Sequence, residues 1–145
     1  MRRGDEAAVD AVLDAACEAG TARRIAGLRQ AGDIAGEVVL PFQGGVAGYY
    51  ALARMRAPSG WLCVGAIGIA PDWQGAGHGR RLMGVLSQWA QLSGRTVIAA
   101  GPLAFFERAG FARIDTAQGP VALAGPAPEG GAPDLIYPPA LAARA

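Results

Sequence analysis

Residues 67–89 read Ile67-Gly-Ile-Ala-Pro-Asp-Trp-Gln-Gly-Ala-Gly-His-Gly-Arg-Arg-Leu-Met-Gly-Val-Leu-Ser-Gln-Trp89, and this stretch decides the fold. The segment that leads into it, Trp61 to Ile69, is almost wholly apolar and stops before Pro71, as a buried central strand does. From Leu82 the apolar residues recur at Val85, Leu86 and Trp89, the spacing of one helical face. Between strand and helix lies Gln74-Gly75-Ala76-Gly77-His78-Gly79. Glycines there let main-chain N–H groups converge without a Cβ in the way. The helix that follows turns its unsatisfied amides and positive dipole end back into the turn. A concave row of amides at a helix start binds phosphate.

Three glycine-rich templates compete for this loop. A P-loop needs Gly-Lys-Ser/Thr, and the chain contains no lysine. A dinucleotide fingerprint built on Gly75 and Gly77 would place its third glycine on Arg80, and Thr96 to Ala100 lacks the acidic residue expected at the end of the next strand. The third template, Gln/Arg-x-x-Gly-x-Gly/Ala after Val-x-Pro, fits: Ile69-Ala70-Pro71 precedes Gln74, Gly77 and Gly79 in register. This loop resembles the acetyl-CoA pyrophosphate loop of the GNAT superfamily of N-acetyltransferases. Phe105-Phe106-Glu107-Arg108-Ala109-Gly110-Phe111 is similar to the aromatic-x-x-x-Gly-Phe signature that follows the fifth strand in that superfamily. The two segments stand in the family's order and at its usual separation. The opening Arg2-Arg3-Gly4-Asp5-Glu6-Ala7, the Ala22 to Gly32 segment and the closing Ile136-Tyr137-Pro138-Pro139-Ala140 resemble the YhbS-like branch.

The resemblance implies one α/β domain over residues 1–145 with the GNAT (acyl-CoA N-acyltransferase) fold. Its sheet would be mixed and mostly antiparallel, with helices on both faces. The family's fourth and fifth strands, here 61–69 and 96–100, would form a splayed parallel pair with the pantetheine arm between them. Function would be transfer of an acetyl group from acetyl-CoA, as co-substrate, to the amine of a small acceptor by direct attack in a ternary complex. The cofactor would be held by Ile67, Gly68 and Ile69 on the central strand, by Gln74, Gly75, Ala76, Gly77, His78, Gly79 and Arg80 in the loop, and by Phe106. The rival reading is a catalytically silent acyl-CoA-binding module or sensor.

Bulk properties narrow the partners. At 145 residues the chain is sized for one domain. Thirteen basic residues, all arginine, stand against twelve acids, a net charge of +1 that suggests neither nucleic acid nor a membrane surface as partner. The apolar run near Leu62 to Ala70 is too short to span a bilayer, and the charged start at Arg2, Arg3, Asp5 and Glu6 has no apolar leader, so a cytoplasmic location is expected. Cys17 and Cys63 are expected as free thiols. No metal-ligand set is expected, and a homodimer is compatible with the sequence.

In chain order, Asp5 to Glu18 has Val9, Val12, Leu13 and Ala16 at helical spacing with Asp5 as N-cap; Thr21 caps a second helix through Gln30, stopped by Gly32. Residues 35–41 and 46–55 read as antiparallel strands around a Gln43-Gly44-Gly45 turn. Gly65 and Gly68 fit either a bulge or a close approach by another element. Gly94 ends the long helix, and Pro102 opens a short helix over Leu103 to Ala109. Phe111 to Ile114 and Val121 to Ala124 suit a hairpin, and Leu135-Ile136-Tyr137 suits an edge strand.

Acetyl transfer asks that the amine lose a proton, the thioester carbonyl be polarised and the leaving thiolate be protonated. In the family a main-chain N–H of the central strand serves the carbonyl, which maps to the Ile67–Ile69 region. His78, the single histidine, lies inside the loop and away from the amine. The family's acidic tyrosine maps to Phe106, which has no hydroxyl. No carboxylate lies between Trp61 and Ile69, so the motifs assign no catalytic base. Glu37 and Tyr50, on neighbouring strands, are the candidates for reaching the cleft.

Overall fold

A computed structural model describes residues 5–17, 19–42 and 45–142. The expected Arg2-Arg3-Gly4 opening, the Glu18 end of the first helix and the Gln43-Gly44 part of the first turn lie outside the described residues. Helices α1 (Glu6–Ala16) and α2 (Thr21–Ala31) precede three long strands, β1 (Ile34–Phe42), β2 (Gly45–Arg54) and β3 (Leu62–Ile69). A short 3-10 turn, Pro71–Trp73, leads to α3 (His78–Ser93) and β4 (Val97–Ala99). Then follow α4 (Leu103–Arg108), β5 (Ala112–Thr116), β6 (Gly119–Ala124) and α5 (Pro139–Ala142). The strands form one sheet in the order β1-β2-β3-β4-β6-β5, antiparallel throughout except at β3 and β4. Among the described residues no strand precedes Ile34, so the family's fourth and fifth strands are β3 and β4 here.

Alternation along the strands sends side chains to opposite faces, and each face has its own apolar layer. Tyr49, Ala51 and Ala53 of β2, with Cys63 and Ile98, pack against Val9 and Leu13 of α1 and Ile25 and Leu28 of α2. Tyr50 and Leu52, with Leu62 and Val97, pack against Met83, Leu86 and Ala90 of α3 and Phe106 of α4. No helix among the described residues is long and apolar enough to cross a membrane.

The parallel contact between β3 and β4 is short. Leu62 faces Val97 and Cys63 faces Ile98, and beyond Cys63 the strands part. Gly65 marks the start of that parting. Ala51 pairs with Ala66 and Leu52 with Val64, which leaves Gly65 as an extra residue bulged out of the β2–β3 ladder. Gly68 serves the other purpose anticipated for these glycines: a Cβ there would sit 3.3 Å from Val12 Cγ1 and 3.5 Å from Ala16 Cβ, so its absence lets α1 lie close on the strand.

Several expectations need correction. The buried stripe of α3 is Met83, Leu86, Ser87 and Ala90, whereas Val85 is 64% and Trp89 42% exposed. Ser87 turns inward on this face, where its hydroxyl donates to the Gly110 carbonyl at 3.2 Å and a Cβ on Gly110 would lie 3.1 Å from its oxygen. Asp5 occupies the N-cap of α1 but makes no side-chain capping bond, and α1 ends at Ala16 with Cys17 as its C-cap. Gly20, at φ 90°, is the N-cap of α2, and Thr21 is its first helical residue. Leu135-Ile136-Tyr137 forms no strand. Ile136 makes a single antiparallel bridge to Ala57, because Pro133 and Pro138 flank a segment too short for a ladder. The last hairpin runs over Ala112–Thr116 and Gly119–Ala124, its first strand lying a little later than expected and its second starting earlier, so that the turn between them is tighter. Pro102 is the N-cap rather than the first residue of α4, which stops at Arg108.

Candidate active site

Ala70 N donates to Ala47 O at 2.7 Å, and this fixes the phase of the β2–β3 ladder. In an antiparallel pair a residue's N–H and C=O leave on the same side, and hydrogen-bonded positions alternate with open ones. Ala66 and Gly68 therefore turn their main-chain groups toward β2, while Ile67 and Ile69 turn theirs toward the open edge of β3. Two bonds agree with that phase. The Cys17 thiol donates to Ile67 O at 3.2 Å, and the Gln74 side-chain amide donates to Ile69 O at 2.9 Å. Of the three strand residues anticipated for the cofactor, Ile67 and Ile69 thus present main-chain amides to the gap. Gly68 instead admits α1.

The loop after β3 is shaped by two glycines in the left-handed region, Gly75 at φ 84° and Gly77 at φ 82°. The first intrahelical bond of α3 runs from Arg81 N to Gly77 O at 3.0 Å. The amides of His78, Gly79 and Arg80 therefore have no acceptor within the helix and point out of its start. A helix of sixteen residues stands behind them with its positive dipole end. Gln74 plays a different part from its neighbours. Its main-chain N–H already donates to Pro71 O at 3.3 Å and its side chain to Ile69 O, so it braces the loop. Ala76 is exposed on the same turn.

Apart from Ala76, these residues border a cavity of about 350 Å³ whose wall includes Gly75, Gly77, His78, Gly79 and Arg80. Phe105 and Arg108 of α4 close it from the far side. Gly79 matters for that closure, since the Phe105 ring lies 3.4 Å from where its Cβ would be. Arg80 and Arg108 thus bring cationic residues from two elements to one cavity wall. Arg108 falls at an unspecified position of the aromatic-x-x-x-Gly-Phe motif, and nothing in the sequence singles it out. The His78 ring stands edge-on to Trp73, with centroids 6.1 Å apart, and its Nδ1 lies 3.3 Å from Arg81 NH1, which keeps it at the loop.

The gap between β3 and β4 forms a second cavity, of about 270 Å³, with Val64, Ile67, Ala99 and Pro102 among its walls. Phe106 lines it from the α4 side although the residue is only 2% exposed. From the other face of the sheet Cys17, Thr21 and Arg24 reach the same cavity. A third space, of about 260 Å³, shares Val64, Gly65 and Ala100 with it and extends to Cys63, Val121, Tyr137 and Leu141. Burial pushes the Cys63 thiol up to about 12, so it stays neutral near neutral pH and serves as wall rather than nucleophile. Neither cysteine is in a disulfide among the described residues.

Glu37 does not reach this cleft. Its Oε1 accepts hydrogen bonds from Arg29 Nε at 3.0 Å, from Arg29 NH2 at 2.7 Å and from the Tyr49 hydroxyl. Burial alone would raise the Glu37 carboxyl, but the bonds from Arg29 and Tyr49 outweigh it and hold it below the usual value. Burial and the same carboxylate push the Tyr49 phenol far above its ordinary value. Tyr50 points to the opposite layer, where it lines a groove between β1, β2 and the end of α3, and burial raises it too. Neither candidate side chain touches the β3–β4 gap.

Comparison with known proteins agrees with this geometry. Residues 32–113 match the family model described as an acetyltransferase (GNAT) domain. No curated protein matches the chain in sequence. Among solved structures, a GNAT family acetyltransferase from Brucella melitensis in complex with acetyl-CoA superposes with a TM-score of 0.79 at 24% identity, covering 97% of this chain and 94% of that one. The Escherichia coli GNAT family N-acetyltransferase YhbS in complex with CoA gives 0.82 at 19% identity, covering 98% and 89%. The Escherichia coli ribosomal-protein-S18-alanine N-acetyltransferase gives 0.63 at 18% identity, covering 90% and 95%. At these identities the structures speak for the fold, which follows the YhbS neighbour over almost the whole chain. With more than half of its residues inside the family model, and with a parted β3–β4 pair and glycine loop where that fold has them, the chain belongs to the GNAT acetyltransferase family.

Proposed function

We propose that this protein transfers an acetyl group from acetyl-CoA to the amine of a small acceptor, by direct attack in a ternary complex in the cytoplasm. The observation that carries the reading is the convergence of the His78, Gly79 and Arg80 amides on a cavity that Arg80 and Arg108 also border. A diphosphate suits such a site: it meets a positive helix end, main-chain donors and two cations. From there the pantetheine arm would follow the open edge of β3 past Ile69 and Ile67, and the thioester would lie near the Gly65 bulge. The Ile67 N–H is oriented to polarise the thioester carbonyl. The amine nitrogen then bonds to the carbonyl carbon, the C–S bond breaks, and the sulfur leaves as coenzyme A thiol with the proton that the amine gives up. Binding and orientation supply most of the acceleration in such a mechanism.

One observation favours a second reading, an acyl-CoA-binding module without turnover. Phe106 is buried where the family's acid stands, and no carboxylate lines the gap among the described residues. Acetyl-CoA mixed with an amine panel, with free thiol followed over time, decides between them. Thiol release that depends on the amine is expected. Tight CoA binding with no thiol release on any amine overturns the enzyme reading in favour of the module.

A further inference from the structure

At the end of α3 remote from the glycine loop lies a groove of about 420 Å³. Its walls include Val38 of β1, Tyr50, Leu52 and Arg54 of β2, Trp89 of α3, and Arg95. It shares no residue with the phosphate cavity or with the spaces beside the β3–β4 gap. Trp89 lies about 15 Å along the helix axis from Gly79, so a molecule here is clear of the diphosphate site. Tyr50 gives the groove an unanswered polar group. The residue is only 8% exposed, yet its hydroxyl makes no hydrogen bond among the described residues. No fully buried side-chain oxygen among those residues lacks a partner, so the Tyr50 oxygen must surface, and the groove is the cavity that Tyr50 borders.

Arg54 supplies charge. Its NH1 donates to Gly32 O at 3.1 Å and to Ile34 O at 2.6 Å, while Nε and NH2 have no acceptor among the described residues. Arg95 follows the C-terminal end of α3, where a cation offsets the negative end of the helix dipole. No acid stands among the wall residues, and the nearby Glu37 is held by Arg29 and Tyr49 on the other layer. Trp89 and Val38, 42% and 39% exposed, leave apolar surface uncovered beside these polar groups. A plain hydrocarbon would strip water from Tyr50 and Arg54 without replacing it, and a cationic ligand would meet two arginines. Tyr50, Leu52 and Arg54 share one face of β2, which sets the first and last about 13 Å apart along the strand. They bracket a ligand from its two ends.

We propose that this groove is a second ligand site, apart from the acetyl-CoA cleft, and that it takes a small hydroxyaryl carboxylate. The carboxylate lies on the Nε–NH2 edge of Arg54, the ring lies over Leu52 between Val38 and Trp89, and the ring hydroxyl meets that of Tyr50. Guanidinium and carboxylate match in charge and planarity, and the indole offers a flat surface to the ring.

Titration calorimetry on the intact protein, with and without saturating coenzyme A, tests the site. The probes are 4-hydroxyphenylacetate, phenylacetate, 4-hydroxyphenylacetamide and acetate. The hydroxy acid is expected to bind about tenfold or more tightly than its amide, the loss of a charge-assisted pair, and about fivefold more tightly than phenylacetate, the loss of a neutral bond. Arg54→Gln should erase the first preference and Arg54→Lys restore part of it. Tyr50→Phe should erase only the second. That variant removes no hydrogen bond among the described residues, so it decides the matter even if melting shows that Arg54→Gln does not fold. Coenzyme A should leave the affinity for the hydroxy acid unchanged. Equal binding of acid and amide, either preference surviving its variant, acetate binding as well as the ring acids, no binding at all, or loss of binding with coenzyme A present overturns the proposal. So does a wild-type dimer in sedimentation that Trp89→Arg dissolves, since a second copy would then cover the groove. None of these outcomes bears on the acetyltransferase reading, which rests on the other end of α3.

Discussion

The side-chain amide of Gln74 reaches back along the chain to the main-chain oxygen of Ile69, at 2.9 Å. This bond ties the glycine turn to the last residue of β3 and so fixes where the α3 amides point. Gln74→Ala should leave global stability nearly unchanged, since the residue is exposed, yet weaken coenzyme A binding. Loss of one neutral hydrogen bond is worth about 1 kcal/mol, a fall in affinity of roughly fivefold. Titration calorimetry with coenzyme A reads the change directly.

Gly77 carries its positive φ at the entrance to α3. An alanine there must either adopt the left-handed region, at about 1–2 kcal/mol, or let the turn refold. Gly77→Ala should therefore lower both the melting temperature and the affinity for coenzyme A. Gly79→Ala is the control on stability, since its Cβ would meet the Phe105 ring at 3.4 Å and Ile69 Cγ1 at 3.6 Å, both ordinary contact distances, and its helical backbone accepts alanine.

Glu37 gives the protein an acid-sensitive contact. Its folded-state pKa lies below the ordinary value, so its contribution is fully present above the unfolded-state pKa. That contribution disappears as the pH falls through the lowered folded-state pKa. Glu37→Gln keeps the shape and removes the charge from a carboxylate whose side chain is 12% exposed. It should cost about 2 kcal/mol near neutral pH, as for hydrogen bonds to a charged group, and the difference from wild type should vanish in strong acid. Urea denaturation at neutral and acid pH checks both statements.

The orientation of α3 makes a further pair of predictions. Leu86 is 1% exposed and Val85 64%. Leu86→Ala should cost about 2–5 kcal/mol, the usual range for a buried leucine. Val85→Ala should stay within about 0.5 kcal/mol of wild type, as surface changes do. A cost at Val85 as large as that at Leu86 would return the helix to the face that its apolar residues first suggested, which held both.

The buried face of α3 illustrates where the chain was readable and where it was not. The loop at 74–79 was legible because glycine conformations and a helix start are local properties. The parallel pairing of β3 with β4 was legible because a strand, a helix and a second strand of these lengths demand a parallel crossover. The buried face of α3 was misread because Val85 and Trp89 are more apolar than Ser87 and Ala90. The small residues won because Gly110 and the sheet sit close beneath them, a tertiary fact with no local trace. Gln74 shows the same limit at the site: its type fits the motif, but its bracing bond to Ile69 appears only in three dimensions. Arg24 and Arg108 come from helices before and after the loop, so nothing near it in sequence points to either. Glu37 was the opposite case, a carboxylate that looked available until Arg29 and Tyr49 were found holding it.

The brevity of the β3–β4 contact has a consequence for rigidity. With pairing only at Leu62–Val97 and Cys63–Ile98, the sheet is two leaves stitched by a short seam. Whatever lies along the open edge becomes the missing rung between them. Under the acetyltransferase reading, a loaded protein should thus be stiffer than an empty one well beyond the phosphate loop. The amides of Ile67 and Ile69 should show the gain first, as slower exchange with deuterated solvent once the cofactor stands in for a neighbouring strand.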